Sequence, residues 1–476
     1  MSARAVACSR GAVKTGWYRS LGRDIATVAL VASASLTCGD LWGLRVTTYN
    51  FDTITPAQAL AFGVADDLFI GGAPAKNTTV IFQEDGNFAV TVGQRTVVFG
   101  PELPTLAAQF VYFDRSILFV GTPQRDFNDP GVRIPTSGAM YGGGGNDLLV
   151  GGLGDWLLQG NQGDDQLTAR AAGSNTLYGG QGNDFLVTSI NNGSGQQFMQ
   201  GNRGNDNIKG GNTGSDTLLG GQGDDIVAGG GGSDFINGNL GNDQLSGAGQ
   251  LFGEGGNDAI RIDIGVASTA SGGDGDDLII VNGDVDLPVR NIAHGDAGND
   301  TLRASTDTTD ELYGDAGDDW IEVTQNNAAG AVSQSKLLDG GSGADTLTGS
   351  GGAETLRGGD GADQLHGGAG ADVFVASTAQ ALTRAAADTI DDWSADDFLK
   401  LRAAIGSAYA EVSALDFDSA LKAAQDQIAG GQIEVVAVQV GVDVIVFADA
   451  SPGTTVDSIT VLAGRTLTDI AAGDFL

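Results

Sequence analysis

Apolar residues recur along the middle of the chain with a nine-residue period. Between Gly142 and Phe374 we count 17 units close to the form G-x-x-G-x-D-x-U-x, where U is apolar. Positions 1 and 4 are glycine and position 8 is apolar in every unit. A flexible linker has no reason to keep apolar side chains at one phase, so the pattern predicts repeated structure. The units begin at Gly142, Gly151, Gly160, Gly179, Gly201, Gly211, Gly220, Gly229, Gly238, Gly253, Gly272, Gly295, Gly314, Gly340, Gly349, Gly358 and Gly367.

Each unit divides into a turn and a short strand. The glycines serve a turn in which the backbone takes positive φ, a conformation that only glycine adopts cheaply. The x-U-x part is a three-residue strand with one side chain pointing inward. A strand this short is stable only when it stacks on others, so the pattern predicts a solenoid.

The two flanks of the repeats follow different patterns. Before them, the runs TTVIFQ, NFAVTVG, RTVVFG, QFVYFD and SILFVG, separated by turn residues, predict a small antiparallel β domain over 46–138. After the repeats, SALDFDSALKAAQDQIAG predicts a helix, and QIEVVAVQV and VDVIVFADA predict strands, as in a mixed α/β cap over 376–476. We therefore predict an all-β protein whose solenoid spans 139–375. The N-terminal domain could either cap the solenoid or bind a partner.

The first 45 residues stand apart in composition. They contain both cysteines, Cys8 and Cys38, and the apolar run IATVALVASASLTC behind basic residues. This segment is either a secretory leader or the product of a misassigned start upstream of Val46. The rest of the chain has no cysteine, which excludes disulfides and thiolate metal sites there. No apolar run reaches the roughly 18 residues of a transmembrane helix.

Acidic residues outnumber basic ones by 60 to 24, and the net charge is −36. Such a surface repels nucleic acids and anionic membranes and attracts cations. The hydrophobic content of 41% is too high for a disordered acidic tail.

The carboxylates at position 6 explain why a cation is needed. Stacking at about 4.8 Å brings aspartates of neighbouring same-side turns close together, and their repulsion opposes folding. Few lysines or arginines are available to neutralise them, whereas turn carbonyls and carboxylates form an all-oxygen site that suits Ca²⁺ better than Mg²⁺. We therefore predict a structural Ca²⁺ requirement. The candidate ligands are the 15 position-6 aspartates: Asp147, Asp165, Asp184, Asp206, Asp216, Asp225, Asp234, Asp243, Asp258, Asp277, Asp300, Asp319, Asp345, Asp363 and Asp372.

The repeats resemble the G-G-x-G-x-D-x-U-x signature of the RTX (repeats-in-toxin) calcium-binding family over about residues 142–375. The resemblance implies a parallel β-roll in which turns alternate between two edges and Ca²⁺ lies between same-edge turns. Turn carbonyls and position-6 aspartates would bind it. The pairs implied are Asp147/Asp165, Asp165/Asp184, Asp216/Asp234, Asp225/Asp243, Asp258/Asp277, Asp300/Asp319 and Asp345/Asp363.

The irregular spacings add detail to this expectation. Units that start 19 residues apart would leave ten residues, such as ARAAGSNTLY, to form the opposite side of a coil without a glycine turn. We therefore expect Ca²⁺ on both edges in the regular runs and on one edge between Gly253 and Asp319. Trp156 and Glu354 replace aspartate at position 6, so a normal site is not expected there, although Glu354 facing Asp372 could bind Ca²⁺ weakly.

The C-terminal region, with ADTIDDWSADDFLKL and the ending Asp474-Phe475-Leu476, resembles that of RTX proteins exported by type I (ABC-transporter) systems. The resemblance implies an uncleaved C-terminal signal, the secretion apparatus as a partner, and an extracellular or cell-surface location.

Several enzyme classes are excluded by residue content. The two histidines, His294 and His366, fall at repeat positions expected on the surface, and no HExxH, GxSxG or phosphate-binding loop is present. A carboxylate pair could still lie among Asp52, Asp66, Glu84 and Asp114. We predict a secreted, non-enzymatic structural or cell-surface protein, such as an S-layer component, adhesin or matrix protein. It could bind surface polysaccharide or self-assemble. The alternative is a secreted hydrolase or polysaccharide-modifying enzyme with its site in 46–138.

Overall fold

The computed structural model describes residues 48–476, with gaps at 63–66, 71–72, 84, 86, 101–109, 113–116, 123, 125, 129–136, 171–172, 189–194, 284–288, 307, 325–333, 378–380, 402–408 and 450–453. The segment 1–45, for which the sequence leaves two interpretations open, lies outside the described residues.

The middle of the chain winds into a parallel β-roll of about 14 coils. Each coil contributes one strand to a first sheet and the following strand to a second sheet. The first sheet contains β9 (Gly138–Gly144), β11 (Trp156–Gln162), β13 (Thr176–Gln181), β15 (Phe198–Arg203), β17 (Thr217–Gln222), β19 (Asp234–Leu240), β21 (Gly249–Gly255), β23 (Thr269–Asp274), β25 (Ile292–Ala297), β27 (Glu311–Ala316), β29 (Leu337–Ser342), β31 (Thr355–Asp360), β33 (Val373–Val375) and β35 (Phe398–Lys400). The second contains β10 (Leu148–Val150), β12 (Gln166–Ala169), β14 (Phe185–Thr188), β16 (Asn207–Lys209), β18 (Ile226–Ala228), β20 (Gln244–Gly247), β22 (Ala259–Ile262), β24 (Leu278–Val281), β26 (Thr301–Ser305), β28 (Trp320–Thr324), β30 (Thr346–Ser350), β32 (Gln364–Gly368) and β34 (Asp388–Ile390).

The core of the roll is formed by the position-8 side chains. All 17 are at most 2% exposed, and they stack in parallel register, as in the pairing of Leu167 with Leu186. Where a coil lacks a glycine unit on one side, another apolar residue fills the same row; Leu177 pairs with Leu158 in this way. The ten-residue segments therefore do form the opposite side of their coils, as their spacing predicts.

The N-terminal part contains the expected antiparallel sheet. It consists of β3 (Thr78–Phe82), β4 (Phe88–Val92) and β5 (Arg95–Phe99). The other strands before the repeats add to the roll, because β7 (Ile117–Val120) pairs in parallel with β9 and continues its first sheet. The remaining elements there are β1 (Thr48–Asn50), helix α1 (Pro56–Leu60), β2 (Asp67–Ile70), a 3₁₀ turn (Ala75–Asn77), β6 (Phe110–Tyr112), β7 (Ile117–Val120) and β8 (Phe127–Asn128). These strands cover the sheet edges at the end of the roll, where unpaired backbone would otherwise be exposed.

The C-terminal part is the mixed α/β cap that the sequence predicts. The glycine period ends near Val375, but β34 and β35 add one more strand to each sheet. Beyond them, the second sheet continues through four strands, and helix α2 (Phe417–Ile428) packs Ala420, Ala424 and Ile428 onto these strands. The cap contains β36 (Tyr409–Ala414), α2 (Phe417–Ile428), β37 (Val435–Val440), β38 (Asp443–Ala448), β39 (Ser458–Leu462) and 3₁₀ turns at Arg384–Ala386, Leu467–Asp469 and Ala472–Asp474. Among the described helices, none has the length and apolar character needed to span a membrane.

Candidate metal centre

One edge of the roll carries an unbroken row of buried aspartates. It is formed by the turns that lead from first-sheet strands into second-sheet strands, and we call it the acidic edge. Twelve of the 15 candidate ligands lie in this row, each at most 3% exposed: Asp147, Asp165, Asp184, Asp206, Asp225, Asp243, Asp258, Asp277, Asp300, Asp319, Asp345 and Asp363. A row of charged groups at this burial requires partners, because burying an ionised carboxylate alone costs much free energy.

The aspartates of the acidic edge are linked from coil to coil through one carboxylate oxygen. The backbone N–H of Asp147 donates to Oδ1 of Asp165 at 2.7 Å, and that of Asp225 donates to Oδ1 of Asp243 at the same distance. The same bond recurs at every step to Asp363. The structure thus places each pair expected on this edge side by side, and it places the four aspartates between Gly253 and Asp319 on this single edge.

The second carboxylate oxygen has a different environment. In the eleven aspartates from Asp165 to Asp363, Oδ2 is buried and has no hydrogen-bond partner among the residues that the structure describes. Each Oδ2 lies against the position-1 glycine of its own unit. A Cβ atom added to Gly220 would collide with Oδ2 of Asp225 and would lie 2.7 Å from the carbonyl oxygen of Gly238 in the next coil. The missing side chain therefore leaves a space where carboxylate and carbonyl oxygens converge.

The position-4 glycine is required by its backbone conformation. Gly223 has φ +125°, and a Cβ atom there would collide with the carbonyl of Gly204 in the preceding coil. Position-5 side chains form an outer ladder beside it, since the N–H of Asp224 donates to Oδ1 of Asn205 at 3.0 Å. Close stacking of the turns thus depends on glycine at both positions.

Burial raises the pKa of the eleven acidic-edge carboxyls from Asp165 to Asp363. Removal from water is the main cause, neighbouring carboxylates add to it, and the hydrogen bond from a backbone N–H opposes it. The pKa rises to about 6 for Asp243 and Asp319. It rises to about 7 for Asp165, Asp184, Asp206, Asp225, Asp258, Asp277, Asp300 and Asp345. Without a cation, these groups favour the protonated form well above their ordinary range.

These features fit a hard cation. Ten of the twelve acidic-edge units bring a buried carboxylate oxygen and a glycine carbonyl oxygen of the next coil to the same space. Ca²⁺ prefers flexible sets of oxygen ligands of this kind. A Ca²⁺ ion would supply the opposite charge that the row needs, and the twelve acidic-edge aspartates are the residues that would hold it.

The opposite edge, which we call the mixed edge, has a row at the same place in the coil but varied side chains. Three of the candidate ligands lie here: Asp216, Asp234 and Asp372. The N–H of Asp216 donates to Oδ1 of Asp234 at 2.9 Å, so this expected pair is also adjacent. The row comprises Trp156, Asn175, Gln197, Asp216, Asp234, Gly249, Ser268, Asn291, Asp310, Lys336, Glu354, Asp372 and Asp397.

Few steps of the mixed edge resemble the acidic edge. Oδ2 of Asp216 accepts the N–H of Gly211 at 2.9 Å, whereas Oδ2 of Asp234 and Asp372 lacks a partner among the described residues. Burial raises the pKa of Asp234 and Asp372 to about 6. Carboxylates follow one another only at Asp216/Asp234 and from Glu354 through Asp372 to Asp397, where the N–H of Glu354 donates to Asp372 at 2.8 Å. Elsewhere on the described part of this edge, Asp310 is a single carboxylate, and the other positions carry three amides, one hydroxyl, Trp156, Gly249 and Lys336.

Sequence reasoning missed the carboxylates that end the acidic edge. Asp126 donates its N–H to Oδ1 of Asp147, and Asp363 donates its N–H to Oδ1 of Asp388. Their Oδ2 atoms accept hydrogen bonds from protein groups, the N–H of Thr122 for Asp126 and Oγ of Ser377 for Asp388. The series of Oδ2 atoms without a hydrogen-bond partner therefore does not extend to Asp126 or to Asp388.

A weaker form of the repeat could have indicated these residues. Gly121 and Asp126 have the spacing of positions 1 and 6, and Asp388 precedes the buried Ile390 by two residues, as position 6 precedes position 8. Both segments lack the glycine at position 4, so the nine-residue pattern does not include them.

The remaining candidates lie elsewhere. His294 and His366 are partly exposed on the outer face, where Nδ1 of each lies 2.8 Å from a carboxylate oxygen, of Asp315 and Asp391 respectively. Of the four N-terminal carboxylates, Asp52 is exposed, and Asp66, Glu84 and Asp114 lie outside the described residues.

Fold and site together define a parallel β-roll with a row of candidate oxygen ligands for a hard cation along one edge. The family model for the RTX calcium-binding nonapeptide repeat matches residues 141–171, 160–194, 191–212, 210–245, 290–321 and 338–376. The chain thus carries several copies of the RTX repeat, which confirms the resemblance seen in the sequence, and its cofactor is Ca²⁺. No curated protein matches the chain significantly.

Proposed function

We propose that the chain is a secreted calcium-binding structural protein whose roll folds outside the cell. Its role is at the cell surface, as an S-layer component, adhesin or matrix protein. RTX repeat proteins are typically secreted, and their repeats are typically structural rather than enzymatic. In this proposal the twelve acidic-edge aspartates, with Asp234 and Asp372 on the mixed edge, are calcium ligands, and Asp216 contributes beside Asp234.

The proposal depends on the row of eleven buried Oδ2 atoms that have no partner among the described residues, nine of which share the space at their position-1 glycine with a glycine carbonyl oxygen of the next coil. Sites of the extracellular class have dissociation constants of about 10⁻⁴–10⁻³ M and stay empty at cytosolic Ca²⁺ concentrations. Carboxylate repulsion and glycine entropy then keep the repeats unfolded during export. Outside the cell, the free energy of Ca²⁺ binding becomes free energy of folding.

The folding step is tested by far-UV circular dichroism of the full chain during a Ca²⁺ titration that begins in EGTA. We expect β-sheet signal to appear cooperatively as Ca²⁺ reaches millimolar concentrations, and Mg²⁺ at the same concentrations to be a much weaker substitute. Equal β-sheet content in EGTA and in millimolar Ca²⁺ would rule out calcium-dependent folding.

Export by a type I system is supported by the C-terminal residues. Phe475 packs on Tyr409 with ring centroids 5.3 Å apart, and the N–H of Leu476 donates to the carbonyl of Leu399 in β35. These contacts hold the proposed signal against the cap and the last coil of the folded chain. In an unfolded chain the same contacts are absent, so the signal is accessible to the transporter.

The export proposal is tested in cells that express a type I transporter. We expect the full chain in the medium, and loss of export when residues 376–476 are removed. Removal of residues 1–45 is the matched control and should leave export intact. Equal export of both truncated chains would contradict a C-terminal signal.

A groove of about 940 Å³ supports polysaccharide as the surface partner. It lies between the three-stranded sheet and the roll. Ile81 and Phe82 line one side, and Gln159, Gln181 and Arg203 line the other. An aromatic and apolar wall opposite amide and guanidinium donors suits sugar rings, which have apolar faces and hydroxyl edges.

Glycan binding and assembly are measured separately. Calorimetry measures the affinity of the chain for glycans. Gln181→Ala should weaken that affinity, whereas the control Gln222→Ala, two coils further along the same sheet, should leave it unchanged.

A lattice seen by electron microscopy on addition of Ca²⁺ would favour an S-layer, and cell binding without a lattice would favour an adhesin. Release of reducing sugar from polysaccharides by the full chain would support the alternative, an enzyme with its site in 46–138.

A further inference from the structure

Lys336 occupies a place in the mixed-edge row where the repeat pattern has aspartate. It precedes the inward-facing Leu338 by two residues, and Leu338 stacks between Leu312 and Leu356 of the neighbouring coils. The equivalent row residues in those coils are Asp310 and Glu354. A cationic side chain thus lies between two acidic ones along the roll.

The ammonium group of Lys336 is held inside the protein. The side chains of Lys336 and Asp310 are both 0% exposed, and Nζ lies 3.2 Å from Oδ2 of Asp310. Nζ also contacts the carbonyl oxygen of Thr308, whose hydroxyl donates to the same Oδ2. Lysine is almost never this buried unless it is paired, so the ammonium and the Asp310 carboxylate depend on each other.

The environment of Asp310 is the reverse of that on the acidic edge. There, Oδ2 of residues such as Asp300 and Asp319 has no partner among the described residues, and a cation from solution is required. Here, the same atom of Asp310 accepts hydrogen bonds from Lys336 and Thr308. The chain itself supplies the positive charge.

The other neighbour of Lys336 is also satisfied by the protein. The Glu354 carboxylate accepts the N–H of Ser350 at 3.0 Å and its hydroxyl at 3.1 Å. The mixed edge therefore has partners for its carboxylates on both sides of Lys336.

We propose that Lys336 is a built-in cation that takes the place of Ca²⁺ between Asp310 and Glu354. This stretch of the mixed edge then needs no metal, while the acidic edge of the same coils does. Replacing the ammonium by a carboxylate would convert the position into a calcium site. The proposal rests on the proposed function, since it takes the acidic edge as the calcium-binding one.

The ion pair is tested in saturating Ca²⁺ by a double-mutant cycle of Lys336→Met, Asp310→Asn and the two combined. Lys336→Met keeps an unbranched side chain, one atom shorter, and removes its charge, which leaves the Asp310 carboxylate buried without its ammonium partner. We expect the unfolding midpoint to fall by roughly 5–10 °C. Asp310→Asn with Lys336→Met replaces the charged pair by a neutral one and should recover most of that loss. Lys209→Met, an exposed lysine on the outer face of β16, is the matched control and should change little.

Two results would overturn the ion pair. One is an unchanged midpoint in Lys336→Met. The other is a double variant as unstable as Lys336→Met, which would assign the effect to packing rather than charge.

The latent site is tested by calcium stoichiometry. The variant Lys336→Asp would carry a third carboxylate between those of Asp310 and Glu354, and we expect about one additional Ca²⁺ per chain by equilibrium dialysis. Unchanged stoichiometry in a folded variant would overturn the latent site. If the wild-type chain binds no Ca²⁺, the proposed function fails, and the double-mutant cycle still reports on the ion pair by itself.

Discussion

The position-6 aspartate serves two purposes with its two oxygens. Oδ1 accepts a backbone N–H from the neighbouring coil and fixes the stacking, while Oδ2 faces the glycine carbonyls and is available to a cation. The position-5 residue beside it takes part in the outer ladder only. Adjacent residues of the same type thus have different roles, and substitution can separate them.

Asp225→Asn should destabilise the roll in Ca²⁺ but not in EGTA. The amide can still accept the coil-to-coil hydrogen bond, but it loses the charge that attracts Ca²⁺. We expect a loss of roughly 1–3 kcal/mol in millimolar Ca²⁺ and a higher Ca²⁺ midpoint. In EGTA, removal of one repelling charge should leave the chain no less ordered. The measurement is calcium titration by circular dichroism.

Asp224→Asn is the matched control, with the same change of charge one residue away. Asparagine already occupies position 5 at Asn205 and Asn242, where it accepts equivalent hydrogen bonds. The Ca²⁺ midpoint of this variant should stay close to that of the wild type. Equal shifts in both variants would show that the overall charge, and not the ligand position, sets the affinity.

Gly220→Ala should destabilise the roll, because its new methyl group would enter the space between Asp225 Oδ2 and the Gly238 carbonyl. We expect a cost of roughly 1–3 kcal/mol in Ca²⁺, as for other overpacked sites. Gly255→Ala is the control, since a Cβ there would meet no atom closer than 3.6 Å. Thermal unfolding in saturating Ca²⁺ compares the two, and similar midpoints would contradict the role given to the position-1 glycine.

At the scale of the element, the strands of the roll are stable only as part of a stack. They are three to seven residues long, and successive side chains alternate between the core and the outer face. β17 shows this directly, because Leu218 is fully buried and the next residue, Leu219, lies on the outer face. The alternation of side chains, rather than helix or strand propensity, decides which apolar residues stabilise the fold.

Leu218→Ala should cost roughly 2–5 kcal/mol of unfolding free energy in Ca²⁺, since it opens a cavity in the stacked row. Leu219→Ala removes the same atoms from the outer face of the same strand and should cost less than about 1 kcal/mol. Denaturant unfolding in Ca²⁺ measures both. A larger loss for Leu219→Ala would contradict the inward and outward assignment.

At the scale of the whole molecule, the two edges differ in the source of their positive charge. The acidic edge presents twelve aspartates in series to cations from solution, whereas much of the mixed edge is satisfied by amides, hydroxyls and Lys336. In the proposed function, most of the calcium ligands of the roll therefore lie along one side, and Asp216, Asp234 and Asp372 are the exceptions on the other. Protons can also neutralise the acidic edge, so pH should affect the fold.

The metal-free roll should lose stability as pH rises from about 4 to 7. The folded-state pKa of residues such as Asp225 and Asp258 is raised to about 7 from an ordinary value of 3.8, so the folded chain holds more protons across this window. Stability therefore falls with increasing pH in EGTA. Because protons compete with Ca²⁺, the Ca²⁺ midpoint should also rise as pH falls below about 7.

The pH effect is measured by circular dichroism in EGTA at about pH 5.5 and about pH 7.5, within and above the window in which these groups titrate and above the sequence pI of about 4.1. We expect more β-sheet signal at the lower pH. Asp225→Asn should show a smaller difference between the two pH values, since one titrating group is gone. More order at the higher pH in EGTA would contradict the sign.

The repeat explains how much of the fold and of the candidate site the sequence predicts. The nine-residue period fixes the phase of the apolar residues and of the aspartates, so the core row and the same-edge pairs could be read from spacing alone. The extent of the antiparallel sheet could not be predicted in this way. The sequences of β6 and β7 indicate strands, but they do not reveal whether these strands join the roll or the smaller sheet.

The sequence by itself determined the coil: its inward side chains, its glycine turns, its acidic row and the oxygen ligands that suit Ca²⁺. Only the tertiary structure decided how each row ends and which carboxylates the protein satisfies by itself. Lys336 meets Asp310 across 26 residues, and Asp363 meets Asp388 across 25. These contacts depend on how segments without the glycine pattern complete a coil. A local period specifies which side chains point inward, but the winding of the whole chain brings distant rows into contact.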